Sequence, residues 1–188
     1  MTGLDRDQIC VINTPHFKMF HVKQFMRTKL TKKIINKSKK ITPLIFKTYI
    51  CLIEASIGCI LFRHFYVKIN AKQKDIMQNG ELSCAFYVSS ILNMFQLIDR
   101  GHVTVDSTVS DLLKFGWKKT KKLRKGSIIV WEPIDFGKTG VHKHIGFYIG
   151  NSKAISNDSK KGFPAKHSWN FNGERKVEMI LWNSKLGK

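Results

Sequence analysis

Acidic residues are scarce in this chain. Thirteen Asp and Glu stand against thirty-three Lys and Arg, for a formal net charge of +20. The deficit is not confined to a tail: residues 1–40 carry +8 and residues 41–188 carry +12. Such a surface attracts polyanions, whether nucleic acid, anionic lipid or anionic cell-wall polymer, and charge alone does not choose among them. Cysteine is also sparse. Cys10, Cys51, Cys59 and Cys84 show none of the spacings of a zinc site or a redox pair, and a chain of 188 residues needs no disulfide framework. Long apolar runs are missing: the longest, from Leu44 to Phe62, is broken by Lys47 and Glu54 and reads as a buried helix, since a membrane span needs about 20 apolar residues. The first fifteen residues hold Asp5 and Asp7 and no apolar run, so no secretory signal is evident. Location is therefore left open between the cytoplasm and the cell wall after non-standard export. No internal repeat and no nucleic-acid-binding motif is visible.

What is present has the composition of a globular protein, with 43% hydrophobic residues. The length suits one domain with an extension. Residues 1–40 read as a basic N-terminal extension: His16 to Lys40 holds nine Lys and Arg and no acid, and is partly a basic amphipathic helix or a disordered, solvated arm. Residues 41–188 form the expected domain. Thr42 and Pro43 resemble a helix cap and first turn, followed by apolar residues at helical spacing from Ile45 to Ile60. Cys51 and Cys59 are expected in the core. Phe65 to Asn70 alternates as a strand and pairs as a hairpin with Asp75-Ile76. Asp106-Ser107-Thr108-Val109 caps a short helix ending near Gly116. Lys118 to Lys125 reads as a basic loop. Strands are expected at Ile128–Trp131, around His144–Gly150, at Ala154–Asn157 and at Lys176–Trp182, with a loop between the last two. Helices first and antiparallel strands afterwards is the α+β pattern.

The chemistry centres on Asn79-Gly80-Glu81-Leu82-Ser83-Cys84. A turn signal is followed by a cysteine that opens an apolar run, with Val88, Ile91, Leu92, Phe95 and Ile98 at helical spacing. Cys84 then sits in the first turn of a buried helix, where unpaired N–H groups and the helix dipole favour a thiolate. About sixty residues downstream, Val141-His142-Lys143-His144-Ile145-Gly146-Phe147-Tyr148-Ile149-Gly150 places histidine at the start of a strand.

Together these stretches resemble the NlpC-type papain-like cysteine peptidases and amidases, the cell-wall hydrolase superfamily to which the CHAP group is related. The Cys84 block resembles the nucleophile segment. Leu123-Arg124-Lys125-Gly126-Ser127 resembles the family's Leu-x-Pro-Gly-Asp strand opener, with Lys and Ser replacing Pro and Asp. His144 to Asn151 resembles the histidine strand. The resemblance covers residues 64–183. It implies a papain-like fold, no cofactor, and cleavage of peptide or amide bonds in peptidoglycan-type peptides through a Cys84 acyl-enzyme with His144 as base. His142 is the rival base.

The family places a histidine twelve residues after the base, where this chain has Ser156. Asn157, next door, is the expected imidazole orienter, with Ser156, Asp158 and His167 as alternatives. The backbone N–H of Cys84 is the expected first oxyanion donor. Tyr66 and Ser83 are carried over as cleft residues. A zinc site of Cys84, His142, His144 and His167 is a lesser reading. The alternative to an enzyme is a catalytically silent papain-like domain acting as a basic polyanion-binding module for cell wall or nucleic acid. The expected partners are a peptide or peptidoglycan-like substrate and, through the basic patches, an anionic polymer or membrane surface; a monomer is expected.

Overall fold

The computed structural model of the chain describes residues 41–135 and 140–187. From Leu44 onward these residues belong to one unit, Leu44–Lys188. The basic extension lies outside the described residues. Among the described residues the order is helix α1 (Ile45–Ala55), hairpin β1 (Tyr66–Ile69) and β2 (Lys72–Asp75), helix α2 (Cys84–Met94), helix α3 (Val105–Lys114), then β3 (Lys118–Lys119), β4 (Ile128–Asp135), β5 (Val141–Gly150), β6 (Lys153–Asp158), β7 (Phe163–Ser168) and β8 (Val177–Trp182). The architecture is α+β. The hairpin is a sheet of its own, and the other six strands form an antiparallel sheet in the order β3-β8-β4-β5-β6-β7. No described helix is long and apolar enough to cross a membrane.

Strand parity gives the large sheet two unlike faces. On β5, Ile145 and Phe147 point to the helices, where Tyr49 of α1 and Tyr87 of α2 meet the Phe147 ring edge-on at 5.9 and 5.5 Å. Ile128, Val130, Ile155 and Leu181 complete this core. The opposite face carries a smaller cluster of Ile129, Trp131 and Ala154, covered by Trp169, Phe171 and Val177. His144, Gly146 and Ser156 alternate onto that second face.

Several elements differ in detail from expectation. α1 starts at Ile45 behind Leu44, with no side-chain cap, so Thr42 is not its cap. α3 is capped two residues earlier than expected, by Thr104, whose hydroxyl accepts from the Ser107 N–H. Cys51 is exposed because it falls off the stripe of α1 formed by Tyr49, Ile50 and Ile53, and Cys59, beyond the end of that helix, is half-buried. The largest difference is β7: Gly162-Phe163-Pro164-Ala165-Lys166-His167-Ser168 reads as loop but forms a strand. It is an edge strand of the sheet, the position at which proline is tolerated.

Candidate active site

Asn79 and Gly80, both at positive φ, turn the chain into α2, and Cys84 is its first residue. The turn is tight: a Cβ on Gly80 would lie 2.5 Å from the Gly162 carbonyl oxygen, so only glycine fits. Cys84 and His144 both line a cleft of about 560 Å³, with Met77, Leu82, Val105, Pro133 and His142 among the other lining residues. The backbone N–H groups of Ile145, next to the histidine, and of Ala85 favour the ionised form of the Cys84 sulfur. Charged groups on the cleft wall are Glu81, Asp106 and Lys143, and the Lys143 ammonium bridges Asp106 (3.3 Å) and Glu178 (2.9 Å). No residue of the Lys118–Lys125 segment lines it.

His144 is buried, and its Nε2 lies 2.8 Å from the Ser156 hydroxyl. That hydroxyl lies 2.7 Å from Nε2 of His167, whose Nδ1 donates to the Ser168 carbonyl at 2.7 Å. Register explains the arrangement. Gly146 pairs with Ser156 and Ala154 with His167, and cross-strand pairs share a face. Trp131, His144, Ser156 and His167 thus come from four successive strands onto one face. The gap must be small, and it is: a Cβ on Gly146 would lie 2.7 Å from both the Ile155 carbonyl oxygen and Ser156 Cβ.

The same parity corrects the expectation for Asn157. One residue along β6, it faces the helices, and its Nδ2 donates to the Gly80 carbonyl at 2.6 Å. It ties the sheet to the turn before Cys84 and does not reach His144. Asp158 is also excluded from the orienting role: its carboxylate accepts from the backbone N–H groups of Lys160 and Lys161 in the following turn. His142 lines the cleft two residues before His144, and its carbonyl accepts from Arg175. Tyr66 is exposed on the hairpin, stacked on His64, and Ser83 is fully buried with its hydroxyl donating to Gly80. Neither lines the cleft. Among the described residues no three of His, Cys, Asp and Glu converge as a metal-holding group.

The electrostatics also correct an expectation. Burial pushes the Cys84 thiol above its ordinary range, against the opposing pull of the Ile145 and Ala85 N–H groups and the Arg175 guanidinium. Burial, with Arg175 and His167 adding to it, brings His144 down to about 3. Both shifts run against the thiolate expected from the helix start and favour a neutral thiol beside a neutral imidazole. Arg175, which the sequence reading passed over, is itself buried and donates from Nε to the Glu132 carbonyl and from Nη2 to the His142 carbonyl, both at 3.0 Å. It clamps β4 to β5 at the bulge next to Trp131 and His144. Its only trace in the sequence is an arginine in a chain that otherwise favours lysine.

No family model matches the chain, and no curated protein matches it. Among solved structures, the chain is similar to that of NlpC2 from Trichomonas vaginalis, at 17% identity and a TM-score of 0.45. The match covers 77% of this chain and 48% of that one, so the chain spans about half the length of the structure it matches.

Proposed function

We propose that this protein is a cysteine hydrolase of papain-like arrangement that cleaves peptide or amide bonds through an acyl-enzyme on Cys84. The observation that carries the reading is that a helix-start cysteine and a strand histidine line one cleft, while Nε2 of that histidine is held by a third polar group. A nucleophile, a base and an orienter are the parts this chemistry requires. Ser156, and not Asn157, takes the third role.

A neutral His144 is competent as a base. As Cys84 Sγ attacks the carbonyl carbon, its proton passes to the imidazole and the S–C bond forms. The carbonyl oxygen becomes an oxyanion, with the Cys84 backbone N–H as the donor first in line. Collapse breaks the C–N bond, and the imidazolium returns the proton to the departing amine. A water molecule, deprotonated by His144, then hydrolyses the thioester and regenerates the thiol. The substrate class, peptidoglycan-type peptides, rests on the resemblance of the Cys84 and His144 blocks. The Lys118–Lys125 segment does not line the cleft, and it would retain an anionic polymer without touching the scissile bond.

One observation favours the second reading, a silent binding module: with the thiol raised and the imidazole lowered, a resting ion pair is disfavoured. Digestion of purified peptidoglycan and of soluble cell-wall peptides separates the two, with new amino groups as readout. Release by the native chain that is lost in Cys84→Ala and His144→Ala supports the hydrolase. Polyanion binding with no release from any substrate supports the module.

A further inference from the structure

The Ser156 hydroxyl is a poor orienter by itself, because it can donate to an imidazole or accept from one and so fixes neither tautomer. The structure supplies the missing direction. The Ser168 carbonyl can only accept, so the 2.7 Å contact puts the proton of His167 on Nδ1. Nε2 of the neutral ring is then an acceptor, and at 2.7 Å it takes the Ser156 hydroxyl hydrogen. With its hydrogen committed, Ser156 Oγ is left to accept at 2.8 Å from Nε2–H of His144. The His144 lone pair is thereby confined to Nδ1, the other edge of the ring. One backbone carbonyl on β7 sets the proton order across three strands.

The surroundings keep this chain dry and in place. Phe171 stacks on His167 with ring centroids 4.1 Å apart and planes 18° apart, and its own backbone is held at φ +53°. Trp131 lies 5.4 Å from His144 and 5.7 Å from His167, and its indole N–H donates to the Trp169 carbonyl at 2.9 Å. Burial also lowers the pKa of His167 and outweighs the opposing Ser168 carbonyl and Asp158, with Lys153 lowering it further, so the net shift favours the neutral ring that the order requires.

We infer that His167 is a positioning residue that acts through Ser156 to hold His144 in the single tautomer with its basic nitrogen at Nδ1. Its catalytic consequence rests on the hydrolase reading above, but the tautomer itself does not. The departure of this chain from a twelve-residue histidine spacing is then a relay: serine at the expected place, with histidine one strand further out.

The test uses the full chain with ¹⁵N-labelled histidine. In the native protein at neutral pH, His144 gives the signature of an Nε2–H, Nδ1-unprotonated ring and His167 the opposite one. His167→Phe keeps the aromatic stack and removes the acceptor; it is expected to turn the His144 signal into a mixture of tautomers. Hydrolysis then falls on the order of 10–100-fold, less than the roughly 10⁴-fold known for a fully wrong tautomer. His167→Gln, whose side-chain carbonyl can still accept from Ser156, is expected to restore the single tautomer and most of the rate. Ser156→Ala alone and Ser156→Ala with His167→Phe should then be equally impaired. An unchanged His144 tautomer in a folded His167→Phe overturns the proposal, as does failure of a folded His167→Gln to restore it. If His167→Phe does not fold, the Gln variant and the native tautomer assignments decide. A relay confirmed by these spectra without hydrolysis by the native chain would refute the hydrolase reading and leave the relay standing.

Discussion

The side-chain amide of Asn157 donates to the Gly80 carbonyl at 2.6 Å, fastening β6 to the turn that precedes Cys84. Its role is therefore architectural. Asn157→Ala removes this donor while the Ser83 hydroxyl still donates to the same carbonyl, and is expected to cost about 0.5–1.5 kcal/mol. The tautomer of His144 should be unchanged. Ser156→Ala should show the reverse pattern, with a modest change in stability and a changed His144 spectrum. Denaturant unfolding and ¹⁵N spectra of both variants check this; a shifted His144 tautomer in Asn157→Ala would contradict it.

Gly146 is the residue that lets β5 approach β6 beside the imidazole. Gly146→Ala would place a methyl group 2.7 Å from the Ile155 carbonyl and Ser156 Cβ, and 3.1 Å from the Trp131 ring. Backbone and β-carbon cannot yield cheaply, so the strands must part. A loss of about 1–3 kcal/mol is expected from overpacking. Activity should fall further than stability, because the His144–Ser156 contact is what opens. Thermal unfolding alongside hydrolysis rates would show it; wild-type values for both would refute the close-approach argument.

Acid should destabilise the fold well above the carboxylate range. The His144 pKa is depressed to about 3 by burial, so between about 3 and the ordinary 6.5 the unfolded chain binds a proton that the folded chain refuses. Stability therefore rises with pH through that window and is lost as pH falls through it from about 6.5 towards 3, on the order of a few kcal/mol. His167, also lowered by burial, acts in the same direction. The raised Cys84 thiol has the opposite edge: stability falls as pH climbs past its ordinary value of 9.0, where only the unfolded chain ionises readily. Urea unfolding from about pH 4 to 10 should give a plateau between these limits. The acid slope should be shallower in His144→Ala, and an equal slope would contradict the assignment.

Arg175 is expected to have two separable effects. Its guanidinium lowers both the thiol and the imidazole, and its two hydrogen bonds hold the β4–β5 bulge. In Arg175→Met the Cys84 titration should move up and that of His144 should also move up, with stability reduced. Arg175→Lys keeps a charge but replaces the planar fork with a single ammonium. It should preserve the direction of the thiol effect better than the stability. Alkylation of Cys84 as a function of pH, resolved by peptide mass spectrometry, reads the first effect. An unchanged Cys84 profile in Arg175→Met would rule it out.

The parts legible in the sequence were those with local signals. α2 begins at Cys84 because a positive-φ Asn-Gly turn precedes an apolar helical stripe, and β5 follows from its alternation. β7 was not legible: Pro164 and the glycine before it mark a loop in any local reading, and only its edge position in the sheet accommodates them. With β7 hidden, His167 stands in the sequence only as one alternative orienter, with no strand to carry it to Ser156. The choice of Asn157 over Ser156 was a question of parity. The residue opposite Gly146 shares the face of His144 and the next one cannot, but the register that decides this is a tertiary fact. The thiol departs from expectation for a related reason. A helix start favours a thiolate, yet burial against β5 outweighs it, and burial is not written in six residues around a cysteine.

The most direct test of the central claim is whether an acyl group transfers to Cys84 under the control of His144. The full chain would be mixed with a slowly hydrolysed activated ester of a short peptide, quenched in acid, and mapped by mass spectrometry. The account predicts one acyl group on Cys84, a burst of leaving group equal to the protein, and loss of both in His144→Ala. Acylation spread over lysines and the exposed Cys51, unchanged in His144→Ala, would contradict it.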